Sequence, residues 1–147
     1  MAKASTLDML IDLARNDTDE AARQLAQLHK ARQDAEQQLQ SLHAYRKDYA
    51  ERLQQVSKMG LTASNYHNFR QFIATLDEAI SQQNKILEQM DARLQKGRDS
   101  WQAEKRRLSS FETLQTRQMR QQALHDARRE QRMNDEISAR GYRGMGH

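Results

Sequence analysis

The chain has 147 residues, with no cysteine, no proline and five glycines, three of them in the last seven positions. Charged residues make up 30% and apolar residues only 37%, for a net charge of +4 and a pI of about 9.6. Disulfides, thiolate metal centres and a multilayer apolar core are thereby excluded, and no apolar run approaches the roughly 20 residues that span a bilayer. The opening Met1-Ala2-Lys3-Ala4-Ser5-Thr6, which turns acidic soon after, does not read as a signal peptide. Absence of cysteine is compatible with a reducing cytoplasm. Glycine and proline punctuate helices, so their scarcity before Arg140, in a chain rich in Ala, Leu, Gln, Glu, Lys and Arg, predicts long helices with burial along a narrow seam.

The first element opens at Ser5-Thr6-Leu7-Asp8, a Ser-x-x-Asp capping box that predicts a helix from about residue 5. Leu7, Ala14, Ala21, Leu28, Ala35, Leu42, Tyr49 and Val56 then recur every seven residues as d positions, all apolar. The interleaved a positions are Ile11, Thr18, Leu25, Arg32, Leu39, Arg46 and Leu53, which makes a sustained coiled-coil pattern to about residue 57. Over about 58–63, Gly60 can adopt the left-handed conformation that ends a helix. Thr62 or Ser64 can cap the next helix, with Leu61 placed to staple onto Tyr66. A turn this short between two amphipathic helices forces them antiparallel.

The second helix is expected over about 64–138. Its a positions are Tyr66, Ile73, Ile80, Leu87, Leu94, Trp101 and Leu108. Its d positions are Phe69, Leu76, Gln83, Met90, Gly97, Glu104 and Phe111, a weaker set in which Gly97 gives room to a bulky neighbour across the seam. Pairing from the turn outward sets Leu7 opposite Gln115, so residues 116–139 form an overhang without a partner from the first helix. Residues 139–147 read as a frayed tail. The fold class is therefore all-α: a single domain made of a long two-helix antiparallel coiled-coil hairpin with an extended C-terminal helix.

Two surfaces stand out. On one flank near the turn, Gln38-Leu42-Tyr45-Tyr49 and Phe72-Leu76-Ala79-Gln83 each step by four, three and four, and the pairing sets them against each other. The result is a partly exposed aromatic patch that either binds a partner or only widens the seam. The opposite flank reads as an ordinary solvated face. The overhang carries Arg117, Arg120, Arg128, Arg129 and Arg132, diluted by Asp126, Glu130, Asp135 and Glu136. It reads as a solvated helix or an arm that docks into a protein, ahead of a phosphate-backbone binder. Catalysis is not indicated. The five histidines are scattered, no nucleophile, phosphate-loop or metal motif is present, and a straight hairpin offers no deep pocket, so no catalytic, cofactor or metal residue is expected. Arg32, Arg46, Gln83 and Glu104 in the seam set register.

The stretches Leu7-Asp8-Met9-Leu10-Ile11-Asp12-Leu13-Ala14, Asp19-Glu20-Ala21-Ala22 and Gln37-Gln38-Leu39-Gln40-Ser41-Leu42-His43-Ala44-Tyr45 add a resemblance. The most specific stretch is Asn68-Phe69-Arg70-Gln71-Phe72-Ile73-Ala74-Thr75-Leu76-Asp77-Glu78-Ala79-Ile80, just after the turn. Together they resemble the FliJ family of the flagellar type III export apparatus over nearly the whole chain. The resemblance implies an antiparallel hairpin similar to the rotor shaft of rotary ATP synthases. It implies that the terminal end, here the arginine-bearing overhang, enters the central pore of the hexameric export ATPase FliI. It further implies a link to the export gate protein FlhA, promotion of ATPase-ring assembly, and binding and recycling of export chaperones. Gln38, Leu42, Tyr45, Tyr49, Phe72, Leu76, Ala79 and Gln83 match the family's gate-docking surface, Gln83 at a position where histidine can also occur. The implied location is the cytoplasmic face of the inner-membrane export apparatus, with membrane contact only through that apparatus and no nucleic acid. The alternatives are the stalk of a virulence injectisome, a basic coiled-coil nucleic-acid binder and a homo-oligomeric coiled coil.

Overall fold

The computed structural model describes residues 2–145, with side chains described from Thr6 to Gly144. It contains two helices, α1 (Ala2–Lys58) and α2 (Ala63–Met145), and no strand among the described residues. α1 starts ahead of the expected capping box, because Ala2, Lys3 and Ala4 are themselves strong helix formers. The Ser5 side chain of that box lies outside the described residues. α2 likewise continues past the expected end near 138, through Gly141 and Gly144. A helical glycine costs only about 1 kcal/mol relative to alanine, and no proline stands nearby to break the ladder. The last two residues of the expected frayed tail, Gly146 and His147, lie outside the described residues.

The chain divides into two compact units, Glu20–Gln102, and Met1–Asp19 with Ala103–His147. In the first unit the turn is built as its residue types dictate. The Met59 amide donates to the Val56 carbonyl at 3.1 Å and tightens the last turn of α1. Gly60 follows at φ 86°, a left-handed conformation that costs glycine no steric strain. Thr62, rather than Ser64, caps α2: its hydroxyl accepts the Asn65 amide at 3.3 Å, and its carbonyl accepts the Tyr66 amide at 3.0 Å. The helices leave this turn antiparallel. Every expected seam position of this unit is buried or half-buried except Tyr66, which is 42% exposed. Tyr66 instead accepts a hydrogen bond from Arg70 at 3.2 Å and lies beneath its guanidinium.

Gly97 has a packing reason. A Cβ there would stand 3.1 Å from Leu28 Cδ1 and 3.3 Å from Leu25 Cδ1, so the missing side chain admits two leucines from α1. Gln83, the polar d residue, is buried and donates its amide to the Ala35 carbonyl at 2.8 Å, which meets its hydrogen-bonding need inside the seam.

In the other unit, Leu7, Ile11 and Ala14 of α1 are buried, with Leu108 and Phe111 of α2 half-buried. Register is marked by Gln115, whose Nε2 donates to Asp8 Oδ1 at 2.8 Å, and by Arg107 beside Asp17 at 4.0 Å. From Thr116 to Gly144 every described side chain is exposed. The heptad itself explains this. Its a and d positions continue as Gln118, Gln122, His125, Arg129, Arg132 and Glu136, so the apolar seam stops where the first helix runs out.

Candidate partner-binding surfaces

The aromatic patch lies within the unit Glu20–Gln102. Its members do not share one role. Leu76 and Gln83 are buried, whereas Leu42, Tyr49 and Ala79 are half-buried in the seam wall. Gln38, Tyr45 and Phe72 face outward, with Tyr45 61% and Phe72 42% exposed. Tyr49 anchors the group: its ring stacks on Phe72 with centroids 4.3 Å apart and tilts against Phe69 at 5.9 Å. Arg52 lies over the same ring at 5.7 Å. Phe72 is thereby pinned by Tyr49 while offering its free side to solvent.

Gln83 acts on the patch from below. Besides its bond to Ala35, its Nε2 donates to Gln38 Oε1 at 3.3 Å, which ties an outward-facing residue to the seam. A shallow groove beside it is lined by Asp34, Gln37, Ser41, Leu42 and Tyr45. Ile86, one turn beyond Gln83, is 41% exposed and extends the apolar strip. Ile86 stands on the same flank in the heptad, so that periodicity is the signal that finds it. A pinned aromatic cluster bordered by hydrogen-bonding amides suits a protein partner, because aromatic anchors contribute most to interfaces and lose little side-chain freedom on binding.

The opposite flank is a solvated face crossed by ion pairs between the helices. Arg32 and Arg46 occupy seam a positions and reach across to Asp91 and Asp77 on α2, and Arg32 also binds Glu36 at 2.8 Å. The hydrogen bond from Arg46 holds the Asp77 carboxyl below the usual carboxylate range. Hydrogen bonds that Arg32 donates to Asp91 and Glu36 hold it further toward its charged form. This flank presents exposed ion pairs, and the other presents exposed aromatic rings.

The overhang belongs to the other unit. Arg117, Arg120, Arg128, Arg129 and Arg132 are all exposed, and none forms an ion pair among the described residues. Two of the four nearby acids are engaged elsewhere: Gln122 donates to Asp126 and Gln131 to Asp135, each at 3.2 Å. The guanidinium groups therefore stay available for external acceptors. Met119, Met133 and Ile137, exposed by 54% or more, fall within about 40° of one another around the helix, and Arg117, Arg128 and Arg132 lie on the other side. Leu124, also exposed, falls among the arginines on that other side, and the segment buries no side chain among the described residues. Among the described residues no group of histidines and carboxylates could hold a metal, and no helix is long and apolar enough to cross a membrane.

The family model described as flagellar FliJ protein matches residues 3–146. A flagellar FliJ protein of Escherichia coli (strain K12) is 35% identical over 140 residues, covering 95% of each chain. A flagellar FliJ protein of Salmonella typhi matches to the same extent.

Proposed function

The chain belongs to the flagellar FliJ family, and from that premise we propose that it is a non-enzymatic stalk of the flagellar type III protein export apparatus. In this reading the overhang of α2 enters the hexameric export ATPase FliI and promotes assembly of its ring. The aromatic patch docks on the export gate protein FlhA, and the chain helps to recycle export chaperones. It works in the cytoplasm at the inner-membrane export apparatus, through binding alone. The flagellar relatives favour this over a virulence injectisome stalk.

The observation that carries the reading is the overhang: an exposed helical segment with five arginines that form no ion pair among the described residues. A helix of this kind suits insertion into a ring lined by hydrogen-bond and charge acceptors, since arginine presents planar, multiply donating groups. The test is ATP hydrolysis by purified export ATPase across protein concentrations, with and without this chain. Stimulation accompanied by hexamer formation is expected. Changing Arg117, Arg120, Arg128 and Arg129 together to Ala should cut the stimulation by about tenfold or more, the loss of a few arginine contacts. If hexamers form and no stimulation occurs, ring insertion is wrong. An association that instead falls steeply with salt on added nucleic acid would revive the phosphate-backbone reading.

A further inference from the structure

Glu104 occupies a d position of α2 and is half-buried, yet one of its carboxylate oxygens, Oε2, is shielded from solvent and accepts no hydrogen bond. A buried carboxylate oxygen without a donor opposes folding of whatever holds it there. The register marked by Asp8–Gln115 and Asp17–Arg107 places Glu104 level with Thr18 of α1. Thr18 has the one hydroxyl in that stretch of the seam, but it donates to its own helix, at the Ala14 carbonyl, 2.7 Å away. Arg107, one turn along α2, stands beside Asp17. The shielded oxygen has no hydrogen-bond donor among the described residues.

The rest of the same seam is short. Leu7, Ile11 and Ala14 are among the most buried residues of the protein, but on α2 their apolar cover is Leu108 and Phe111, bracketed by the polar seam residues Glu104 and Gln115. Two apolar layers with an uncompensated carboxylate on their inner edge make a small cooperative element. A lone helical segment of this length gains little from its own backbone bonds.

We propose that Glu104 makes the pairing of α1 residues 7–18 with α2 a latch, which opens as a local unit while the seam of residues 20–102 stays closed. Opening releases the shielded carboxylate oxygen to water and uncovers the apolar stripe Leu7-Ile11-Ala14. The seam composition is the device: an apolar residue at 104 would close it permanently.

Amide hydrogen exchange on the full-length chain tests the latch. Residues 7–18 should exchange about tenfold or more faster than residues 30–46. Glu104→Gln keeps the shape and removes the charge, and should slow exchange of 7–18 several-fold with 30–46 unchanged. Glu104→Leu should slow it further. Ordinary fraying of a helix end would give fast exchange in 7–18 that neither substitution alters, and that result overturns the proposal. So does equal protection of the two segments in the unsubstituted chain. Helical content by circular dichroism confirms that the variants fold, and neither substitution touches the arginines assigned to the ATPase, so failure of the latch leaves the stalk reading standing.

Discussion

Arg46 shows how a polar residue in a coiled-coil seam becomes a register marker. It sits at an a position, where its aliphatic stem covers the seam while its head leaves it to reach Asp77 on α2. A register slip would separate the two. The pair is solvent-exposed, so its contribution is modest and screened by salt. Its pH dependence has a definite sign. The Asp77 pKa is lowered on folding, so the stabilisation is fully present above the carboxylate's unfolded pKa of about 4 and disappears as pH falls through the lower folded value. An Asp77→Asn variant should therefore melt below the unsubstituted protein at pH 7, and the gap should close as pH falls below about 4. A gap that persists at low pH would mean that Asp77 acts through something other than its charge. The heptad placed Arg46 and Arg32 in the seam, but the flank that holds their acids reads as plain solvated surface. An ion pair between helices depends on two sequence-distant positions being level, and only the register supplies that.

At the scale of the element, the helices were almost wholly legible. A period of seven repeated over both arms leaves one face to bury, and every a and d position expected in α1 is buried or half-buried. Legibility failed at the boundaries, where no periodic signal exists. Ser5 read as a start and residue 138 as an end, but alanine and lysine before Ser5 and isolated glycines after Arg140 are compatible with helix when nothing better competes for the backbone. The same reasoning separates length from stability. Residues 116–144 bury no side chain, so they add helical content without adding packing. A chain ending at Gln115 should lose total helical signal in proportion to length while the per-residue signal holds, with its thermal midpoint moving by less than about 3 °C. A larger fall would reveal that the overhang stabilises the seam after all.

At the scale of the whole molecule, the two candidate surfaces belong to different compact units and are made differently. The patch is a pinned aromatic cluster whose rings are ordered before any partner arrives. The overhang is a helix whose side chains are all exposed and whose five arginines form no ion pair among the described residues. Legibility differed accordingly. The patch members were found by periodicity, but their division of labour was not, because spacing cannot say that Leu76 and Gln83 are buried while Tyr45 is free. Separate construction predicts separable function. Tyr45→Ala removes an exposed ring that props up nothing in the seam, so it should leave folding and stimulation of the export ATPase intact. It should weaken binding to the cytoplasmic part of the gate protein by about 10- to 30-fold, the loss of one aromatic anchor. The fourfold arginine variant should do the reverse, keeping gate binding while losing stimulation. Calorimetry for the gate and ATP hydrolysis for the ring, run on both variants, read the two effects independently. If either variant disables both activities, the surfaces are coupled, and a binding event on one unit must then reach the other through the continuous helices that run through both.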